Sequence, residues 1–363
     1  MSRLEVRLWT SEEFLAAREV WQQLLARSNA DPLFMSWDWQ ACWWRHHAVP
    51  LDAGLRVLAV YRGNQLCGIA PFYLHRGSHR GVFRTRRLEL LGNAWRDPEC
   101  VFSEYLDVIA AVDAGDAVCA ALRQWLQASP DWDELLLCNV RDQSLALHLA
   151  HACADLGYLR PAESMTAWSV ALPESFETFA AGLSSNSRRK ALHQRDKLQN
   201  PCCVVTAAGQ RDATLARLEE LVARRWSRTA SAGARARFHA DIVERLGEGV
   251  ARLTELRSGP NSISVMLNVR LSGTEYYLQS GFDAAYARGL SPGYLHLGYA
   301  IEAACRDRVQ RFDFLAGRGL HRDYKRDFAA QATPLQSFHL VRKPSLRALF
   351  RVADRLRGSG QIV

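Results

Sequence analysis

Lysine is nearly absent from this chain: of its 46 basic residues only Lys190, Lys197, Lys325 and Lys343 are lysines, and the rest are arginines. Cysteine is present nine times but never as C-x-x-C. That scatter speaks against a disulfide framework and against zinc-ribbon spacing. Cys202 and Cys203 read as small hydrophobes on opposite faces of one strand. The apolar runs, "LRVLAVY" and "ELLLC" among them, fall far short of the roughly 20 residues a membrane span needs. The opening "MSRLEVRLWTSEEF" has no apolar stretch of the kind found in signal peptides, so a cytoplasmic location is expected. No segment is of low complexity and no period of about 20 to 50 residues recurs, which sets solenoids aside.

What is present is an ordinary globular balance, 48% apolar and 23% charged, over 363 residues. That length predicts about two domains. Charge is divided unevenly. Residues 1–170 carry 16 Arg and no Lys against 20 acids, a balance of −4, while 171–363 carry 30 basic residues against 18 acids, a balance of +12. The second half therefore suits an anion: a phosphorylated cofactor, a nucleic acid or a membrane surface. A merely basic surface is the competing reading.

Two similar successions of elements can be traced. In the first half, Ser11 with Glu12 and Glu13 opens a helical segment. A second helix starts near Ser36 and carries Trp37, Trp43 and Trp44 at helical spacing, as a packed face rather than a stacking platform. "LRVLAVYRGNQLCGIAPFYLHR" reads as a hairpin turning at Gly63-Asn64. Two more strands, helix 113–128, strand "DELLLCNV" and helix 143–156 follow. In the second half a helical stretch over 176–199, broken near Gly182 to Ser187, precedes helices 211–229 and 235–247. Strands "VARLTELRS", "NSISVMLNVRLSG" and "TEYYLQSGFD", helix 292–308 and strand "RFDFLAG" come next. "ATPLQSFHLVR" and a basic amphipathic helix end the chain.

The stretch "RGLSPGYLHLGYAIEAACRDRVQRFDFLAG" is the most informative. A helix start exposes unpaired N–H groups at the positive end of its dipole, and phosphate binds readily there. Ser291 is suited to cap it, Pro292 to its first position, and Gly293 to letting a ligand approach the backbone. A well-made helix start with no ligand is the competing reading.

"GFDAAYARGLSPGYLHLGYAIEAA" followed by "FDFLAGRGLHRDYKRDF" resembles the second domain of the CelD/BcsL-like acetyltransferases of bacterial cellulose-biosynthesis clusters, a branch of the GNAT superfamily. The matching positions are Phe282, Asp283, Ser291, Pro292, Gly293, Asp313, Phe314, Gly317, Tyr324 and Lys325. "SWDWQACWW", "GIAPFYL", "LELLGN…SEYLDVI" and "SSNSRRKALHQRDKL" resemble further parts of that family. The layout is also similar to the Fem peptidyltransferases, which pair two GNAT domains and take aminoacyl-tRNA.

The resemblance implies an α+β fold of two tandem GNAT-like domains, 1–165 and 166–363, each a mixed, mostly antiparallel sheet flanked by helices, with a basic inter-domain helix over 184–200. It implies acetyl-CoA or another acyl-CoA as co-substrate, although the usual Gln/Arg-x-x-Gly-x-Gly/Ala loop is replaced by Ser-Pro-Gly with Gly298 further on. Cofactor contacts are expected from Ser291, Pro292, Gly293, Asp313 and Gly317.

Acyl transfer from a thioester needs a base for the acceptor, donors for the oxyanion and a proton or positive charge for the thiolate. Asp107 and Glu275 are candidate bases, against readings as a structural carboxylate and an exposed strand residue. Lys325 is a candidate charge, because an Arg-rich chain that keeps a Lys there wants a compact ammonium. Tyr324 is a candidate acid or a packed ring. Tyr105, Arg188, Arg189 and Lys190 are candidate substrate contacts. The segment 184–200 nets +4 and fits CoA phosphates, tRNA or plain solvation. Aromatic residues do not interleave with it, so no stacking platform is indicated. The histidines, His193, His296 and His321 included, show no ligand spacing, and no metal is expected. The acceptor, small molecule or polymer, is not written in the sequence. A Fem-like aminoacyl transferase and a catalytically silent nucleic-acid binder are the alternatives, tRNA being possible but not favoured.

Overall fold

The structure is a computed structural model that describes residues 4–79, 83–94, 97, 100–226, 233–316 and 322–356. The chain divides into two compact units, residues 1–165 with 334–363 and residues 166–333.

The first unit runs β1 (Leu4–Leu8), α1 (Ser11–Ala16), α2 (Arg18–Leu25), α3 (Trp37–His47), β2 (Gly54–Arg62), β3 (Gln65–His79), β4 (Phe83–Leu90), β5 (Ile109–Ala110), α4 (Gly115–Ala128), β6 (Glu134–Val140), α5 (Leu145–Ala152) and β7 (Tyr158–Pro161). Strands β1 to β4 form an antiparallel meander, and β4 then pairs parallel with β6 across the α4 crossover. The turn between β2 and β3 falls at Gly63-Asn64, as the sequence predicts, with Gly63 at φ +60°. Thr10, rather than Ser11, caps α1: its Oγ1 accepts the Glu13 N–H at 3.1 Å and the Glu13 carboxylate accepts the Thr10 N–H at 2.7 Å, a reciprocal capping box. Ser36 caps α3 through the Trp39 N–H. Trp21, Trp39, Trp43, Tyr73, Phe14, Phe34 and Phe72 are fully buried here, so the tryptophan-rich helix serves the core. Losing one such ring typically costs about 3–5 kcal/mol.

The second unit runs β8 (Met165–Ala171), α6 (Phe176–Ala181), α7 (Ser185–Ala191), β9 (Pro201–Val205), α8 (Arg211–Trp226), α9 (Ala234–Leu246), β10 (Ala251–Ser258), β11 (Asn261–Leu271), β12 (Thr274–Phe282), α10 (Pro292–Arg306) and β13 (Arg311–Leu315). The break expected near Gly182 to Ser187 falls between α6 and α7, and Ser175 and Ser184 cap them through the Thr178 and Ser187 N–H groups. Strands β9 to β12 form a second antiparallel meander. β12 pairs parallel with β13 across α10, and β13 pairs antiparallel with β8.

The remaining elements, β14 (Gln331–Val341) and α11 (Pro344–Leu356), correct the expected domain boundary. The sequence reading assigns 166–363 to one domain, but 334–363 belongs to the first unit. From Gln336 onward β14 pairs antiparallel with β6, and its residues 338–341 pair with β7. The physical reason is the edge of β6, whose hydrogen-bonding groups need a partner. Leu340 and Val341 of β14 and Leu346 of α11 are buried there, and Asp354 of α11 receives two bonds from Arg160, at 2.5 and 2.8 Å. Among the described residues no helix is long and apolar enough to cross a membrane.

Candidate functional site at the splayed strands of the second unit

β12 and β13 are bonded over three residue pairs only, Thr274 to Tyr276 against Arg311 to Asp313. Beyond Tyr276 the two strands part while β12 continues to Phe282. A bulge starts the separation: Tyr277 opposes Asn268 and Gln279 opposes Leu267, which leaves Leu278 as the extra residue. Thr274 to Tyr276 are buried, whereas residues 277–280 are half-exposed. N–H and C=O groups of β12 that would face a neighbouring strand therefore turn toward the opening.

The other arm of the opening is pinned by Asp313 and Lys325. β13 has its own irregularity, Asp313 opposing Ser169 and Leu315 opposing Trp168. Leu315 adopts φ +57°, a conformation a branched side chain resists. Asp313 Oδ1 accepts the Leu315 N–H at 2.8 Å, and Lys325 Nζ donates to the Leu315 and Ala316 carbonyls at 2.5 and 2.7 Å. Lys325 is 4% exposed, and these two backbone oxygens are among the acceptors of its ammonium. A compact ammonium can meet two successive carbonyls where a planar guanidinium would not fit. The preference for lysine at this position thus has a local cause, the shape of the strand end.

Tyrosines gather beside it. The Tyr324 phenol hydrogen-bonds Tyr277, whose own hydroxyl also meets Ser280 Oγ. The Tyr294 hydroxyl donates to Asp327 at 2.7 Å, and its ring lies 6.0 Å from that of Tyr324. Burial, followed by the proximity of Tyr277, raises the Tyr324 phenol well above its ordinary value, so it keeps its proton at neutral pH.

The start of α10 differs from the sequence expectation in two respects. Ser291 makes no side-chain cap. Gln194 reaches over instead: its Oε1 accepts the Ser291 N–H at 3.1 Å and its Nε2 donates to the Gly289 carbonyl at 2.7 Å. Pro292 does occupy the first turn. At Gly293 a side chain would come within 2.9 Å of the Phe282 ring, so the glycine admits that ring rather than a ligand in this structure. Gly298 has a packing cause as well, since a Cβ there would sit 2.2 Å from the Ala191 carbonyl of α7.

The basic segment lies on α10. Lys190 Nζ is 4.7 Å above the Tyr294 ring, and the Arg195 guanidinium is 3.7 Å above the Tyr299 ring and 2.7 Å from Glu302. Arg188 donates to the Leu183 carbonyl at 3.0 Å, and the exposed Arg189 donates to Asn186 at 3.0 Å. Gly317 and His321 lie outside the described residues.

Three predicted site residues sit elsewhere. Glu275 is 2% exposed rather than an exposed strand residue. Its oxygens accept from Asn268 Nδ2 at 3.0 Å and Arg270 Nε at 2.6 Å, so the carboxylate is engaged within β11 and β12. In the first unit, Asp107 Oδ1 accepts the Val108 and Ala146 N–H groups at 2.7 and 2.8 Å and so caps the start of α5. Burial raises its carboxyl to about 7, against the pull of those backbone bonds. Tyr105, at φ +57°, packs its ring against Phe34 at 6.0 Å and beneath Arg141 at 5.1 Å.

Sequence reasoning missed Gln194, Tyr277 and Tyr294. It also missed the role of His296. That ring is fully buried, with Nδ1 2.8 Å from Ser264 Oγ and Nε2 3.0 Å from Thr254 Oγ1. Burial drops its value to about 3, so it is a neutral strut between helix and sheet. Only Tyr294 left a sequence signal, its place in the first turn after Ser-Pro-Gly.

Residues 185–326, which span α7 to the Lys325 segment, match the model of the family described as the acetyltransferase (GNAT) domain. No curated protein matches the chain. Among solved structures, FemX superposes with a TM-score of 0.62 at 10% identity, over 95% of this chain and 99% of its own. The C-terminal domain of a putative lysylphosphatidylglycerol synthetase from Agrobacterium fabrum gives 0.54 at 12% identity, over 96% and 99%. L-PGS from Bacillus licheniformis gives 0.53 at 12% identity, over 97% and 98%. At such identities the likeness is one of fold, and the fold is the GNAT fold, a mixed sheet flanked by helices.

Proposed function

We propose that the protein is an acyltransferase that moves an acyl group, acetyl first, from acyl-CoA to an amine or hydroxyl acceptor, as the CelD/BcsL-like resemblance implies. The observation that carries this reading is the parting of β12 and β13 after Tyr276, inside the matched domain. Strand amides there, unpaired among the described residues, are suited to a thioester carbonyl and to the oxyanion it becomes. The α10 start is the phosphate end of the same groove through the Gly293 and Tyr294 N–H groups, since Gln194 takes the Ser291 N–H and Pro292 has none, and Lys190 and Arg189 add positive charge. Tyr324 holds the proton that a leaving thiolate takes up. Asp313 and Lys325 act as positioning residues that fix the β13 arm. No carboxylate is assigned the base role: Glu275 is ion-paired with Arg270, and Asp107 is engaged as the cap of α5 in the first unit.

The test is a thermal-shift and turnover screen with acetyl-CoA, longer acyl-CoAs and aminoacyl-tRNA. An acyl-CoA should raise the melting temperature and support transfer to an amine panel. Stabilisation by tRNA alone, with affinity falling steeply with salt, would replace this reading by the Fem-like one, which the exposed Arg189 and the excess charge of the second half favour.

A further inference from the structure

The first unit contains a convergence of side chains that acyl transfer does not use. His79 ends β3, Glu134 begins β6 and His339 lies on β14. Both imidazoles aim Nε2 at one oxygen, Glu134 Oε2, from 2.7 and 2.6 Å. The three donor atoms lie within 4.8 Å of one another.

The surroundings hold these groups in place. Thr85 Oγ1 donates to the other Glu134 oxygen. The two imidazole rings stack at 6.1 Å, and Phe350 of α11 sets its edge against both, at 5.1 and 5.3 Å. Arg160 lies 4.5 Å above Phe350 and is itself held by Asp354. Glu134 is fully buried and the His339 side chain is 8% exposed, while that of His79 is 19% exposed and opens the cluster on one side. Arg87 lies between Glu89 and Glu134, at 3.8 and 3.7 Å, and 3.4 Å from His79 Nε2.

We propose that His79, Glu134 and His339 form a binding site for a divalent transition metal, Zn2+ in the first place. Two imidazoles and one carboxylate are a donor set that Zn2+ accepts, with a fourth position left for water on the His79 side. On binding, each neutral imidazole shifts to the tautomer protonated at Nδ1, so that the Nε2 lone pair is free for the metal and the hydrogen bonds to Glu134 are replaced by metal–ligand bonds. Bonds of about 2.0–2.1 Å in tetrahedral geometry require the donors to spread to roughly 3.3 Å apart. His79, the most exposed of the three, allows that adjustment. Thr85 and Phe350 act as the outer partners that orient the ligands. Arg87 is the built-in competitor, a fixed cation that keeps affinity moderate. The metal would tie the returning strand β14 to β3 and β6, and the site does not depend on the acyltransferase reading.

The test uses the whole protein, stripped with a chelator and titrated with Zn2+ by calorimetry and with Co2+ by visible absorption. The expected result is one equivalent per chain, a tetrahedral Co2+ spectrum and a higher melting temperature. His79→Gln, at the open edge, should fold normally and bind at least about 100-fold more weakly, as should His339→Gln. Arg87→Met should tighten binding about tenfold or more, because a nearby like charge is removed. Absence of stoichiometric uptake by the wild type overturns the proposal, as does wild-type affinity in folded His79→Gln.

Discussion

The two units share a six-stranded topology, to which the first adds β5 and β7, and they differ in how one strand end is finished. Each has a four-stranded antiparallel meander, a helix, a parallel fifth strand and a sixth strand brought from elsewhere in the chain, β14 in the first and β8 in the second. In the first unit the parallel pairs join Arg87 to Glu89 with Glu134 to Leu136, and β4 runs only one residue further. In the second they occupy the first three of nine residues of β12, which leaves six beyond them. The segment after β4 is tied down by buried indoles and a phenol: Trp39 Nε1 to Ser103 at 2.9 Å, Trp43 Nε1 to Val101 at 3.1 Å and the Tyr73 hydroxyl to Asn93 at 2.8 Å. One fold thus yields a filled strand end and an open one. The open one lies in the half with a charge balance of +12.

Breaking the open end should have the largest effect. Lys325→Ala removes an ammonium that donates to two carbonyls beside a left-handed Leu315, and should cost roughly 2–4 kcal/mol of stability. Acyl transfer should fall about 10²-fold or more, since the β13 arm loses its anchor. Lys325→Arg should fare little better, because the guanidinium cannot reach both carbonyls. Thermal melts and transfer rates measured together check this. A Lys325→Ala variant that melts and turns over as the wild type does would remove the strand-end account.

Asp107 tests whether the filled unit contributes to chemistry. Its carboxyl stands raised to about 7, against an unfolded value near 3.8. A raised carboxyl stabilises fully below the unfolded value, and that contribution is lost as pH climbs toward the folded one. The loss between about pH 4 and pH 7 is on the order of 4 kcal/mol. Asp107→Asn keeps an acceptor for the α5 cap and cannot ionise, so its melting temperature should be flatter over that range. If Asp107 is the base, the same variant loses transfer activity about 10²-fold or more, and the wild-type rate rises through pH 7. An Asn variant with the pH-stability change and undiminished turnover would leave Asp107 a cap alone.

The two glycines of α10 sharpen the distinction between packing and ligand. Gly298→Ala drives a methyl into a backbone carbonyl at 2.2 Å, whereas Gly293→Ala meets only the Phe282 ring at 2.9 Å. The former should cost roughly 2–3 kcal/mol and the latter about 1 kcal/mol. Denaturant midpoints give the order, and the reverse order would show that the Phe282 contact is the stiffer one.

Much of this was legible in the sequence because its causes are local. The Gly63-Asn64 turn, the helix break after Gly182, Pro292 at its helix start and the burial of Trp37 and Trp43 on α3 each follow from a few adjacent residues, whereas Trp44 of the expected face is only half-buried and Trp39 is buried instead. What was misread depends on residues far apart in the chain. Ser291 had the side chain for a cap, yet Gln194, about a hundred residues earlier, makes the bonds. Glu275 looked like a surface residue because Arg270 and Asn268 are recognisable as partners only once β11 and β12 pair. The final strand carries the apolar alternation of any half-buried strand, and nothing in that pattern says which sheet edge it will cover.

The smallest effect is expected at Arg189, and it separates the two donor classes. Its side chain is exposed and its one described bond is local, to Asn186. Arg189→Ala should change stability by less than about 0.5 kcal/mol, as surface substitutions do. If the donor is acyl-CoA, with few phosphates, the binding constant should fall two- to threefold at most, roughly the value of one exposed ion pair. If the donor is aminoacyl-tRNA, removing one phosphate contact should lower the slope of log K against log salt by about one unit. Affinities at four or five salt concentrations for both proteins decide it: parallel lines with a small offset support acyl-CoA, and a change of slope supports tRNA.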